Sequence, residues 1–113
     1  MKKIEAYVRP EKLEDIRDAL KCSIISGITV SQVMGCGNQK GWTEIVRGSE
    51  IEVFFRPKLK IEIVVPDEKV EQLIELLCVN AWTGEVGDGK IFVTNVEEAV
   101  RVRTKERGLI AIK

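Results

Sequence analysis

Residues 59–77, LKIEIVVPDEKVEQLIELL, carry the clearest structural signal in this sequence. Apolar side chains first alternate with other residues, which predicts a strand whose buried face is formed by Leu59, Ile61, Ile63 and Val65. Pro66 ends the strand, and Asp67 is predicted to cap the amino end of a helix. Apolar residues then recur at helical spacing, which predicts one buried helix face at Val70, Leu73, Ile74 and Leu77. The stretch therefore predicts a strand followed by an amphipathic helix.

The same order occurs near the amino terminus. Alternation predicts a strand with its buried positions at Ile4, Ala6 and Val8. Pro10 ends this strand and opens a helix with one apolar face at Leu13, Ile16 and Leu20. After Gly27, a further strand is predicted from Ile28 to Gly35. A last strand, Lys90 to Thr94, follows the second helix.

Two strand–helix–strand units in succession predict the α+β class. Their order is that of the ferredoxin-like split βαβ fold (βαββαβ), an antiparallel sheet of four strands with both helices on one face. The uncovered face would carry the apolar residues Val33, Val64 and Phe92. We therefore expect another subunit to cover this face.

Composition and charge restrict the class of protein. With 113 residues, 44% hydrophobic and 32% charged, the chain is expected to form one soluble domain over residues 1–113. The formal net charge of zero argues against a general nucleic-acid binder. No apolar run reaches the roughly 18 residues of a membrane span, so no membrane insertion is expected. The amino terminus has no apolar signal-peptide core, and we expect a cytoplasmic protein.

Few side chains here suit acid–base or covalent catalysis. The chain has no histidine, which removes the commonest general base and the Ser-His and Cys-His nucleophile pairs. An odd number of cysteines without close spacing predicts neither a disulfide framework nor a zinc site: Cys22, Cys36 and Cys78. We therefore expect no enzyme, and at most a weak ATPase activity where Asp88 and Lys90 would lie beside bound ATP.

A glycine-rich stretch, TGEVGDGKIFV at residues 83–93, precedes the last predicted strand. Glycines allow main-chain N–H groups to approach phosphate oxygens, and a lysine supplies the countercharge. Gly84, Gly89 and Lys90 have the spacing of a Walker A motif. However, Ile91 stands where that motif has Ser or Thr, and a strand follows instead of a helix. We predict a phosphate-holding loop at about residues 82–90 that is not a P-loop NTPase motif; the alternative is a plain turn.

The connection between the second and third predicted strands, residues 37–57, is far longer than an ordinary hairpin loop. It is either a flexible insertion or a loop that docks onto a partner. Its apolar content is too high for a permanently solvated linker: Trp42, Ile45, Val46, Ile51, Val53, Phe54 and Phe55. This content favours a recognition loop.

Two arginines lie near the carboxyl terminus. In an extended segment Arg101 and Arg103 would project to the same side, about 7 Å apart. Paired guanidinium groups suit a polyphosphate, because each donates two hydrogen bonds to anionic oxygens. The alternative is an edge strand protected by charge.

Together these features resemble the PII nitrogen-regulatory signalling proteins over essentially the whole chain. The resemblance is carried by MKKIEA at 1–6 with Arg9-Pro10, GCGNQKG at 35–41, RGSE at 47–50, Pro57-Lys58, Thr83-Gly84, GDGKIFV at 87–93, VEEA at 96–99 and RVRT at 101–104. The most specific of these motifs is the glycine loop with the strand that follows it.

The resemblance implies a homotrimer that binds ATP and ADP competitively in the clefts between subunits. With Mg²⁺-ATP bound, such proteins sense 2-oxoglutarate at the base of a long T-loop, here about residues 37–57. The implied nucleotide-binding residues are Thr29, Gly35, Gly37, Gln39, Val64, Gly87, Asp88, Gly89, Lys90, Arg101 and Arg103. Among them, the resemblance implies that Thr29 and Val64 contact adenine. The implied 2-oxoglutarate residues are Gln39, Lys40, Gly41, Lys58 and Gly87, with Gln39 also on the metal. The two arginines would come from a carboxy-terminal loop, about residues 101–109, of the neighbouring subunit.

Some residues depart from the family pattern. Ile51 replaces the loop tyrosine that carries nucleotidyl groups in some members, so no such modification is expected there. Ser49 matches a position phosphorylated in other members, although serine is also common in turns. Trp42 at the loop base keeps open an adenylate-only sensor without a 2-oxoglutarate response. Lys105 replaces a glycine of the carboxy-terminal loop.

The implied partners are target proteins bound through the T-loop: an ammonium transporter, a metabolic enzyme or a regulator. A different class of function is an RNA-recognition module of the same topology. Such modules stack bases on aromatic residues of central strands. This chain has no pair of aromatic residues on its first and third predicted strands, which disfavours that alternative.

Overall fold

A computed structural model describes residues 1–21, 25, 27–36, 42–46, 49–53 and 55–113, with the main chain alone in 42–46 and 49–53. The strands are β1 Lys2–Val8, β2 Thr29–Gly35, β3 Trp42–Val46, β4 Ser49–Val53, β5 Arg56–Val65 and β6 Lys90–Asn95. The helices are α1 Leu13–Lys21 and α2 Val70–Ala81. Short 3₁₀ helices occupy Pro10–Lys12, Asp67–Lys69 and Gly108–Ile112.

Four strands form an antiparallel sheet in the order β2-β5-β1-β6. This order, with one helix after β1 and one after β5, confirms the predicted ferredoxin-like α+β fold. The alternating positions of β1 and β5 meet the inner faces of both helices in one core, formed by Ile4, Ala6, Val8, Ile16, Leu20, Leu59, Ile61, Ile63, Val65, Leu73, Leu77 and Ala81. Every residue predicted to face the core from the first and third predicted strands is buried there.

The other face of the sheet is mixed in chemistry. Glu5 lies opposite Glu62 on one side and Phe92 on the other. Lys3 compensates the two carboxylates, since its Nζ lies 3.3 Å from Glu5 and 3.4 Å from Glu62. Phe92 is 51% exposed and meets Tyr7 edge to face, with 6.0 Å between ring centroids. The predicted apolar residues are present on this face, but paired charges accompany them.

The prediction that Asp67 caps a helix is wrong. Its side chain makes no capping hydrogen bond, and α2 begins three residues later, at Val70. The Asp67 carboxylate instead lies 2.9 Å from the amino group of Met1. A charged amine is a stronger partner for a carboxylate than a main-chain N–H. The Asp67 side chain, which the local pattern assigned to the helix, therefore binds the amino group of the residue before β1.

The predicted loop at 37–57 contains regular structure. Strands β3 and β4 pair antiparallel as a separate hairpin, from Trp42 opposite Val53 to Val46 opposite Ser49. Strand β5 begins at Arg56, before the predicted strand at Leu59. Residues 37–41, 47–48 and 54 lie outside the described residues.

Candidate functional site

The predicted phosphate loop connects α2 to β6. The helix ends at Ala81, and Trp82 turns the chain into an extended conformation. The loop then returns to the sheet with Gly84, Gly87 and Gly89 at φ of 89°, 103° and 111°. A side chain at Gly89 would overlap the carbonyl oxygen of Tyr7 and lie 2.8 Å from its carbonyl carbon. Glycine at position 89 is therefore required by the close approach of the loop to β1.

The Asp88 carboxylate lies at the centre of this loop. It accepts hydrogen bonds from the main-chain N–H groups of Thr83, at 2.7 Å, and Gly84, at 2.9 Å, and from the Thr83 hydroxyl. These bonds, together with the guanidinium of Arg9, hold the pKa of Asp88 well below its usual range. Asp88 thus closes the loop on itself as a charged acceptor.

Two cations hold the loop from the side of the sheet. Arg9 donates from Nε to Asp88, at 3.1 Å, and from Nη2 to the carbonyl oxygen of Val86, at 2.9 Å. Lys58 donates from Nζ to the carbonyl oxygen of Gly87. Burial, and then the positive charge of Arg9, lower the pKa of Lys58. The structure therefore brings together Lys58 and Gly87, both predicted for 2-oxoglutarate.

Arg9 was missed as a site residue from the sequence. Its partners Val86 and Asp88 lie 77 and 79 positions away along the chain. Only the antiparallel placement of β1 beside β6 brings them into contact. The available signal was the Arg9-Pro10 pair within the family resemblance, which carries no information about a partner.

Lys90 is the first residue of β6 and lies opposite Tyr7, with its side chain exposed. Thr29 and Val64 occupy the same uncovered face, but at the other end of the sheet. Along β5, Val64 lies about 20 Å from Lys58, which contacts the loop. Gly35 ends β2 opposite Arg56. Within one chain, the predicted adenine contacts Thr29 and Val64 therefore lie apart from the predicted phosphate contacts along the sheet.

The prediction of an extended Arg101–Arg103 segment is wrong. Residues 102–104 form a turn, closed by hydrogen bonds from Arg101 N–H to Glu106 O, at 2.9 Å, and from Lys105 N–H to Arg101 O, at 2.7 Å. Lys105 adopts the left-handed conformation at φ 62°, which explains why glycine suits this position. Because of the turn, the two arginines have different surroundings instead of one common side.

The Arg101 side chain binds groups of the carboxy-terminal segment. Its guanidinium donates to Glu106, at 2.9 Å, and to the main-chain oxygens of Ile110, at 3.0 Å, and Lys113, at 2.6 Å. Arg103 is exposed and makes no hydrogen bond or ion pair with any described part of the chain. Of the two predicted phosphate ligands, Arg103 is the one with all its donors available.

Several predicted site residues cannot be placed. Gly37, Gln39, Lys40 and Gly41 lie outside the described residues. Ser49 and Ile51 belong to β4, where the main chain alone is described. Among the described residues, no helix is long and apolar enough to cross a membrane.

The fold and the loop define the chain as a small ferredoxin-like α+β domain. Its glycine-rich loop precedes β6 and is held by hydrogen bonds from Arg9 and Lys58. The family model described as nitrogen regulatory protein P-II matches residues 1–106. The chain belongs to the P-II family. It is 54% identical over 112 residues to the nitrogen regulatory protein P-II of Haemophilus influenzae, covering 99% of this chain and 100% of that protein. The corresponding proteins of Rhizobium meliloti and Azospirillum brasilense are 53% and 54% identical, with the same coverage.

Proposed function

We propose that this protein is a signal transducer of nitrogen regulation that binds ATP and ADP competitively. The proposal rests first on the loop at residues 82–90, whose main chain is held in one shape by hydrogen bonds to Asp88. Lys90 leaves this loop with an exposed ammonium group, which supplies the positive charge that a phosphate requires. Membership of the P-II family, whose relatives are named as nitrogen regulatory proteins, supports the same function.

The nucleotide site lies between subunits of a homotrimer in this proposal. Along β5, Val64 lies about 20 Å from Lys58 at the phosphate loop, and Thr29, opposite Glu62, lies about 13 Å from it. A second copy is needed to bring one adenine contact region beside the other copy's phosphate loop. The uncovered sheet face, with Phe92 51% exposed, supplies a surface for such assembly. Arg103 then reaches the phosphates from the carboxy-terminal loop.

The effector in this proposal is 2-oxoglutarate, bound with Mg²⁺-ATP. Lys58 donates to Gly87, and Arg9 donates to its neighbours Val86 and Asp88, so two cations lie at this part of the loop. Burial, and then the charge of Arg9, lower the pKa of Lys58, and a dicarboxylate there would offset the repulsion between the two cations. The Asp88 carboxylate already accepts four hydrogen bonds, so it does not suit a metal ligand. The phosphate oxygens and Gln39 would hold Mg²⁺, whose charge offsets the repulsion between the two anions.

Signal output would occur through the T-loop. Ligands that bind one T-loop arrangement better than another shift its population, and a target that prefers one arrangement changes ligand affinity by the same factor. Targets of this kind include an ammonium transporter, a metabolic enzyme or a regulator in the cytoplasm. No catalytic turnover is part of the proposal, since Asp88 is held as a hydrogen-bonded ion, which is a poor general base.

A second candidate function is an adenylate-only sensor of the same fold. Trp42, at the start of β3, stands at the base of the T-loop, next to the segment predicted to hold 2-oxoglutarate. This alternative keeps the nucleotide site and loses the effector site. Titration with 2-oxoglutarate separates the two candidates.

Isothermal titration of ATP and ADP, with and without Mg²⁺ and 2-oxoglutarate, tests the proposal. We expect one nucleotide per chain, competition between ATP and ADP, and 2-oxoglutarate binding only in the presence of Mg²⁺-ATP. Lys90→Met should weaken ATP binding about 10-fold, as expected for loss of a hydrogen bond from a charged donor. Lys21→Met, which removes the same charge from α1, should leave ATP binding unchanged. Absence of nucleotide binding to the unmodified protein would overturn the proposal.

A further inference from the structure

Within the phosphate loop, both carboxylate oxygens of Asp88 are engaged in hydrogen bonds. Asp88 Oδ2 accepts from two successive N–H groups, those of Thr83 and Gly84, while Oδ1 accepts from the Thr83 hydroxyl and from Arg9. A carboxylate next to a polyphosphate site would ordinarily repel the ligand. Here its negative charge faces donors of its own loop and a guanidinium.

Arg9 connects this loop to the sheet. It follows β1 directly, and its fork reaches two points of the loop, the Asp88 carboxylate at 3.1 Å and the Val86 carbonyl oxygen at 2.9 Å. Both side chains are largely buried, with 20% of Arg9 and 23% of Asp88 exposed. A planar guanidinium fixes two acceptors at once, which an ammonium group cannot do with the same geometry.

We propose that Arg9 and Asp88 are positioning residues that hold the phosphate loop in the shape that binds nucleotide. The inference rests on the proposed nucleotide-binding function. Arg9 fixes the carbonyl oxygen of Val86, and Asp88 turns the N–H groups of Thr83 and Gly84 inward. The residues beyond them, Gly89 and Lys90, then leave the loop in one defined direction towards the uncovered face of the sheet.

An electrostatic role and a positioning role of Asp88 predict opposite changes in ATP affinity for one substitution. Asp88→Asn removes a negative charge close to the phosphates, so a purely electrostatic role predicts tighter ATP binding. A positioning role predicts weaker binding, because an amide cannot accept from the donors of Thr83, Gly84 and Arg9 together. We expect ATP affinity to fall about 10-fold, the size of one or two lost charge-assisted hydrogen bonds.

Arg9→Lys provides the matching test on the cation. The variant keeps the positive charge but loses the two-point fork, and ATP affinity should fall about fivefold or more. In the double variant Arg9→Lys/Asp88→Asn, the loss should be smaller than the sum of the single losses, since the two residues act through one contact. Arg17→Met, which removes a guanidinium from the exposed side of α1, is the matched control and should leave affinity unchanged.

Two measurements on the full-length protein separate the possible outcomes. Titration calorimetry gives ATP affinity, and hydrogen exchange gives the protection of the Thr83 and Gly84 amides, which should fall in Asp88→Asn while α2 stays protected. ATP binding equal to or tighter than that of the unmodified protein in Asp88→Asn would overturn the inference. If the unmodified protein bound no nucleotide, the proposed function would fail, whereas amide protection would still report whether Arg9 and Asp88 shape the loop.

Discussion

The phosphate loop and the carboxy-terminal segment are both built around one charged side chain, but the charges are opposite. In residues 82–90 a central carboxylate, Asp88, gathers N–H donors from its own loop. In residues 101–113 a central guanidinium, Arg101, gathers oxygens from Glu106, Ile110 and Lys113. Asp88 and Arg101, which look free in the sequence, each bind groups of their own segment.

The comparison shows which groups are left for a ligand. In the first loop, the donors with capacity for an anion are those beyond Asp88, above all Lys90. In the carboxy-terminal segment, the side chain with donors available for an anion is Arg103, since most hydrogen-bonding groups of Arg101 are engaged. An anion that meets both segments therefore meets one lysine and one arginine whose side chains make no hydrogen bond or ion pair with the described part of their own chain.

The two segments should differ most in their tolerance of an added methyl group. Gly89→Ala places Cβ against the Tyr7 carbonyl group at φ 111°, so the loop must leave β1 or the strand must shift. We expect a loss of about 3 kcal/mol or more in the free energy of unfolding, as for other changes that force main-chain rearrangement. Urea denaturation followed by circular dichroism gives the value.

Gly108→Ala is the control for Gly89→Ala from the carboxy-terminal segment. Its φ of 74° is also positive, but a Cβ there meets no described atom within 4 Å. Only the cost of the left-handed conformation remains, about 1 kcal/mol. Equal losses in the two variants would contradict the close packing of the phosphate loop against β1.

Loss of the Asp88 charge tests the centre of the phosphate loop. Because the folded-state pKa of Asp88 lies below that of a free aspartate, about 3.9, its contribution is present above that pH and disappears as the pH falls through the folded pKa. Asp88→Asn should therefore cost about 2 kcal/mol at pH 7, and the difference from the unmodified protein should shrink below about pH 4.

The measurement is urea denaturation of both proteins from pH 7 to pH 3. Asp15→Asn, which removes an exposed carboxylate from α1, is the control. A difference between Asp88→Asn and the unmodified protein that stays constant down to pH 3 would show that the charge of Asp88 is not what holds the loop.

Local periodicity accounts for what the sequence predicts correctly. The alternation of Leu59, Ile61 and Ile63 reflects one buried sheet face, and the glycines of the phosphate loop mark its left-handed positions. The hairpin β3–β4 was missed, although Gly48 in the two-residue connection between Val46 and Ser49 is a signal for it.

Side chains with distant partners could not be predicted. Asp67 binds the amino group of Met1, and Arg9 binds Asp88, which lies 79 positions away. Arg101 has a partner that is closer in sequence, since Glu106 is only five positions away. Its contact depends on a turn at Lys105, a residue that seldom adopts positive φ, and so the local pattern favoured an extended segment.

Substitutions of Arg103 and Arg107 test which cations of the carboxy-terminal segment are available to phosphate. Arg103→Ala should weaken ATP binding about 10-fold, the value of a charge-assisted contact, with little change in stability. Arg107→Ala should leave affinity within about twofold, because Arg107 pairs with Glu98 at 3.3 Å on an exposed surface. Titration calorimetry gives both values. If Arg101→Ala weakened ATP binding and Arg103→Ala did not, Arg101 would have to leave its carboxy-terminal contacts when nucleotide binds.

The smallest expected effect is a gain in stability from Lys105→Gly. Lys105 adopts the left-handed conformation, φ 62°, in the turn that places Glu106 against Arg101. Its side chain makes this conformation less favourable than it would be for glycine. Glycine removes the clash of Cβ with the main chain but increases the entropy of the unfolded chain, so the net gain should be about 0.5 kcal/mol. Urea denaturation measures it, with Lys69→Gly, at a position of negative φ, as the control that should lose stability. A loss of stability in Lys105→Gly equal to that in Lys69→Gly would mean that the turn around Arg101 is not maintained in solution. The carboxy-terminal segment would then differ from the phosphate loop, because its central charge would not order it.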